Sequence, residues 1–96
     1  MAQVYVKLMA KGRKYNEHEM FPFQTAENST VQDLTDELRS TFKERFRVFL
    51  DEGDNQKLRK ETIVLVNGAN MVSKEGLKTP VSDGDLIVFM IAAVGG

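Results

Sequence analysis

The sequence predicts a two-layer α+β domain, one long helix packed on a mixed sheet of about four to five strands, and three observations predict it. The chain opens with strand-like alternation, changes to helical periodicity after about residue 30, and carries a continuous apolar run of strand length near its end. Val4, Val6 and Leu8 alternate with Gln3, Tyr5, Lys7 and Met9, which predicts a half-buried first strand. Lys11-Gly12-Arg13-Lys14 then supplies a charged reversal. Met20 to Thr25 reads as the returning strand, and Pro22, which has no N–H to give a ladder, places it at an edge.

Val31, Leu34, Leu38, Phe42 and Phe46 recur at steps of three and four, so they share one face of a helix that runs to near Leu50. Ser29 or Thr30 stands ready to cap it, with Gln32 or Asp33 as the capping-box partner. Acidic residues lie early in this helix and Arg39, Lys43, Arg45 and Arg47 lie late, which complements the helix dipole. The polar segment Asp51 to Glu61 reads as a solvated connector rather than a docking loop. Thr62 to Val66 forms a strand, Asn67-Gly68 a tight turn, and Met71 and Val72 lie on a brief strand after it. Asp85 to Ile91 is apolar at every position after Asp85, the pattern of a strand in the sheet interior. Pairing of the first and last strands at the centre of the sheet accounts for both termini.

Ninety-six residues with 42% apolar and 28% charged side chains match an ordinary folded domain. Thirteen basic against fourteen acidic residues argue against a nucleic-acid partner. The absence of cysteine removes disulfides, thiolate metal sites and a cysteine nucleophile together. No stretch approaches the roughly 20 apolar residues of a membrane span, and the first residues lack the order of a secretory signal, so a cytoplasmic location with no membrane contact is expected. His18 is the only histidine and reads as a surface imidazole; neither a metal site nor a catalytic constellation is predicted. The chain is expected not to be an enzyme.

The tail is the remaining chemical feature. The apolar strand leads into Ala92-Ala93-Val94-Gly95-Gly96, read as an extended tail (92–96) beyond a folded body (1–91). Five extended residues reach roughly 17 Å. Two glycines let such a chain enter a narrow slot and leave the terminal carboxyl carbon unhindered.

"ENSTVQDLTDEL" at the helix start, "VLVNG" at Val64 to Gly68, "VSDGDLIVF" at Val81 to Phe89 and the final Val94-Gly95-Gly96 resemble the ubiquitin-like β-grasp proteins that end in Gly-Gly. The resemblance is in particular to the MoaD- and ThiS-like sulfur carriers and the SAMP-type archaeal modifiers. Where molybdopterin carriers often have a pair of prolines, this chain has Ile91, Ala92 and Ala93.

The resemblance implies that an activating enzyme adenylates the Gly96 carboxylate, using its own ATP and magnesium, and that the adenylate becomes a thiocarboxylate. The sulfur then passes to an acceptor, such as the molybdopterin synthase large subunit, a thiazole precursor or a tRNA base. In the modifier branch, Gly96 is joined instead to lysines of target proteins. Val94, Gly95 and Gly96 are the expected tail-recognition residues; the chain binds no cofactor and is a monomer when free. A non-covalent adaptor is the reading from another class.

A partner-binding patch is expected at Met9, Met71, Val88 and Met90. Alternation turns Ile87, Phe89 and Ile91 toward the helix and Leu86, Val88 and Met90 away from it. Met9 is placed opposite Val4, Val6 and Leu8 by a slip of the alternation at Leu8–Met9. Methionine adapts to varied partner surfaces, which favours it at a docking patch. Lys7, Lys11, Lys57 and Lys60 are candidate acceptors for chain formation, with ordinary exposed lysines as the alternative.

Overall fold

The computed structural model describes residues 1–9 and 20–91. Strand β1 spans Ala2–Met9 and pairs antiparallel with β2, Met20–Thr25, in a register that sets Val4 opposite Phe23 and Val6 opposite Phe21. Helix α1, Val31–Phe42, crosses the sheet. Strands β3 (Thr62–Val66) and β4 (Ala69–Asn70) form a short hairpin, and β5 (Leu86–Ile91) completes a five-stranded sheet of order β2-β1-β5-β3-β4. The first and last strands lie side by side, as expected, and run parallel, and β2 with its Pro22 is an edge. A parallel neighbour needs a crossover connection, and α1 covers one face of the sheet in providing it.

The start of α1 follows from its sequence. Thr30 Oγ1 accepts a hydrogen bond from the Asp33 N–H at 3.2 Å, and the Asp33 carboxylate accepts one from the Thr30 N–H at 3.0 Å. Thr30 and Asp33 are therefore the capping pair. Val31, Leu34 and Leu38 are fully buried against Val4, Val6, Val64, Ile87 and Phe89.

The helix does not continue to Leu50 in α form. It stops at Phe42, where Lys43 adopts φ 47° and ψ −110°, and Lys43–Phe49 winds as a 3₁₀ segment. The three-residue repeat of that winding sets Phe46 and Phe49 on one side, where their ring centroids lie 5.3 and 6.0 Å from that of Phe89. Aromatic packing against the central strand thus overrides α-helical continuation.

Met71 and Val72 are likewise not on a strand. The second strand of the hairpin ends at Asn70, whose side-chain oxygen accepts from the Val72 N–H at 2.9 Å and turns Met71–Ser73 into a 3₁₀ turn. Val72 is left 77% exposed. The connector from Asp51 to Glu61 is turn-rich, with Asp51 and Asp54 accepting from the backbone N–H of Gly53 and Gln56.

The "DGD" stretch is a clamp at the root of β5. Asp83 accepts from the Gln3 N–H at 2.8 Å, and Gly84, at φ +89°, donates to the Gln3 carbonyl at 2.8 Å. The Asp85 carboxylate accepts from the Ser82 N–H and from the side-chain amide of Asn67, while Asn67 Oδ1 accepts from the Leu86 N–H at 2.9 Å. Two sequence motifs distant in the chain, Asn67-Gly68 and Asp83-Gly84-Asp85, are one hydrogen-bonded unit.

Candidate functional site: the outer sheet face and the tail

Strand alternation and register together determine which side chains share the face opposite α1. Val4, Val6 and Leu8 point inward, so Tyr5, Lys7 and Met9 point outward, and Met9 reaches that side without any slip of the alternation. The parallel register pairs Tyr5 with Leu86, Lys7 with Val88 and Met9 with Met90. On the other flank of β5, Ile63 stands opposite Met90 and Leu65 opposite Val88. On the flank of β1, Pro22 stands opposite Tyr5 and Met20 opposite Lys7. Directly opposed side chains have Cβ atoms about 4.5–5.5 Å apart, so these rows form a continuous surface that is apolar apart from Lys7.

Met9, Val88 and Met90 are therefore brought together. Val88, at the centre, is only 8% exposed through lateral packing by its strand neighbours, and Met9 and Met90 are half-buried. Met71 is not part of this face. It packs against the inner core from the hairpin side and lines, with Leu58, Leu77, Thr62 and Thr35, a separate cavity of about 250 Å³. The departure follows from β4 ending one residue earlier, at Asn70.

Ile63, Leu65, Tyr5 and Met20 are members of the face that the sequence reading left out, beside Leu86, which it had turned outward without placing it in the patch. Their signal was present. Ile63 and Leu65 alternate with the inward Val64 and Val66, but an apolar run hides alternation, and only the register shows which neighbours meet. Val94, Gly95 and Gly96 lie outside the described residues, as do His18 and Lys11. Lys57 and Lys60 are exposed, whereas Lys7 is half-buried within the outer face.

Strand β5 ends at Ile91, opposite Thr62. Beside this end, Glu61 is held below its ordinary carboxyl value of 4.5, first by a hydrogen bond from its own backbone N–H and then by Arg59, 3.3 Å away. Among the described residues, no group of three His, Cys, Asp or Glu side chains could hold a metal ion, and no helix is long and apolar enough to cross a membrane. The geometry offers a largely apolar outer face and a last strand, β5, that is hydrogen-bonded on both sides.

Comparison with known proteins bears on what such an arrangement is for. The sequence matches the ThiS family over residues 6–96. The chain belongs to the ThiS family. A search of curated proteins gave no match. Among solved structures, this ThiS-family chain is similar to the small archaeal modifier protein SAMP1 of Methanosarcina acetivorans, at 29% identity and a TM-score of 0.78, with 100% of this chain and 98% of the other covered. It is similar to a chain of the BexX/CysO complex of Amycolatopsis orientalis, at 26% identity, a TM-score of 0.65 and coverage of 97% and 99%. A putative molybdopterin converting factor subunit 1 of Pyrococcus furiosus shares the fold at 20% identity, with a TM-score of 0.69 and coverage of 97% and 100%. The architecture is the ubiquitin-like β-grasp, and the family is one of sulfur carriers and protein modifiers.

Proposed function

We propose that this chain is a MoaD/ThiS-like sulfur carrier whose Gly96 carboxylate is adenylated by an activating enzyme and converted to a thiocarboxylate. The observation that carries the reading is the position of β5. That strand is hydrogen-bonded on both sides, by β1 and β3, and leads into the Gly-Gly sequence within a family match that extends to residue 96. A strand anchored this way is a fixed base from which a partner can draw a short tail into its active site.

In the proposed chemistry, a Gly96 carboxylate oxygen attacks the α-phosphorus of ATP and pyrophosphate leaves. A sulfur nucleophile at the oxidation level of sulfide then attacks the acyl carbon, the C–O bond to phosphate breaks and AMP departs. ATP and magnesium belong to the activating enzyme; this chain supplies the carboxylate and the surface by which it is held. Val94 and Gly95 fit the tail to the enzyme's slot, and Met9, Val88 and Met90 dock the folded body. The Amycolatopsis relative's presence in a complex supports a life spent between protein partners. The chain performs no catalysis of its own and works in the cytoplasm, free as a monomer. It passes sulfur to an acceptor such as the molybdopterin synthase large subunit or the enzymes of thiazole or tRNA thiolation.

A second reading, a protein modifier joined through Gly96 to target lysines, is favoured by the 29% identity to SAMP1 across the whole chain. There the lysine amine attacks the same adenylate and AMP leaves as before. ATP–pyrophosphate exchange by an activating enzyme from the same source tests the shared first step: the full chain stimulates it, and the Gly96 deletion does not. Equal stimulation by the deletion variant would remove Gly96 from the mechanism. Conjugates carrying a Gly-Gly remnant on lysine then separate the modifier from the carrier.

A further inference from the structure

Lys7 stands in the middle of the outer face. Tyr5 and Met9 flank it along β1, and Met20 and Val88 oppose it on the two neighbouring strands. Leu65 continues its row beyond Val88. On the rows through Tyr5, Lys7 and Met9, Lys7 carries the only charge among the described residues. It is half-buried, and none of the ion pairs among the described residues involves it.

In the free protein this costs little, because the butyl stem lies along apolar neighbours while the ammonium reaches water. A partner that seals the face removes that water. An ammonium covered by apolar surface alone carries a heavy desolvation cost, which an opposing carboxylate offsets.

We propose that the activating enzyme meets this face with an apolar surface bearing a carboxylate opposite Lys7, which makes Lys7 the residue that selects the partner. Hydrophobic contact from Met9, Val88 and Met90 supplies area without direction, whereas one ion pair at the centre fixes the register of docking and rejects surfaces that lack an acidic group there. The inference rests on the proposed function, since it takes the activating enzyme as the occupant. A lysine on an exposed sheet face can also serve only to prevent aggregation, and the two roles predict opposite outcomes when its charge is removed without loss of length.

The test is calorimetric binding of the full chain to an adenylating enzyme from the same source, at low and high salt, with ATP–pyrophosphate exchange followed in parallel. Lys7→Met is expected to weaken binding about tenfold or more and to flatten its salt dependence, and Lys7→Glu about a hundredfold. Lys7→Arg, which keeps the charge, stays within about threefold, and far-UV circular dichroism verifies that each variant is folded. Changing the enzyme's facing carboxylate to lysine restores binding of Lys7→Glu. Binding of Lys7→Met as tight as that of the native chain, with the same salt dependence, overturns the inference while leaving the function intact. A native chain that neither binds nor stimulates exchange overturns the functional reading itself, and the inference with it.

Discussion

The two faces of the sheet are built from the same strands, and both are largely apolar, yet they differ in how far they are covered. On the inner face, Val4, Val6, Val64, Ile87 and Phe89 are closed off by α1 and by the rings of Phe46 and Phe49. On the outer face, Met9, Met90, Ile63 and Leu65 lie beside their strand neighbours and remain half-buried. Apolar character therefore does not tell which face is core. What distinguishes them is cover: the inner face is packed to completion beneath α1 and the rings of Phe46 and Phe49, while the outer face carries adaptable methionines and, on its central rows among the described residues, the charge of Lys7.

Substitution at adjacent positions of β5 sharpens this contrast most. Phe89→Ala on the inner face is expected to cost about 3–5 kcal/mol in urea unfolding, because it opens a cavity beneath Phe46 and Phe49. Its neighbour Met90→Asp, on the outer face, is expected to cost less than about 1 kcal/mol yet to weaken binding to the activating enzyme by tenfold or more. If the two variants lose stability equally, the outer face is a second core and the functional division fails.

The clamp at the root of β5 comes next in size. Asn67→Asp keeps an acceptor for the Leu86 N–H but replaces the amide donor with a carboxylate facing Asp85, at a separation now of 3.0 Å. A loss of about 1–2 kcal/mol at neutral pH is expected, shrinking as acid protonates the pair. Unfolding at pH 7 and pH 4 measures it, and a loss that does not change with pH would place the effect elsewhere. The smallest effect has the opposite sign. Lys43 holds φ 47° where α1 gives way to the 3₁₀ segment, so Lys43→Gly is expected to raise stability by about 0.5–1 kcal/mol, read from the urea midpoint. An unchanged or lowered midpoint contradicts strain at that junction.

Much of the fold was legible because local and long-range signals agree. Pro22 marked an edge strand, Ser29-Thr30 followed by Gln32-Asp33 marked the helix start to within a residue, and the apolar run after Asp85 marked a strand at the sheet centre. The end of α1 was not legible, since Phe46 suits a helical face and only its contact with Phe89 shows why the winding tightens. Nor was the place of Met71, because nothing before it in the sequence announces that Asn70 will bond the Val72 N–H and end the strand. Of the outer face, alternation within β5 supplied Val88 and Met90, whereas Met9 was placed there by a slip of the alternation that β1 does not contain. Ile63, Leu65 and the central position of Lys7 needed the register between strands, which is a property of the assembled sheet.

The most direct measurement is the mass of the C-terminal peptide from protein isolated from its own cells and kept from hydrolysis. A carrier shows a fraction of Gly96 with one carboxyl oxygen replaced by sulfur, and blocking the activating enzyme abolishes that fraction. A Gly96 carboxylate found only unmodified and unconjugated, whether or not the activating enzyme is present, would contradict the account.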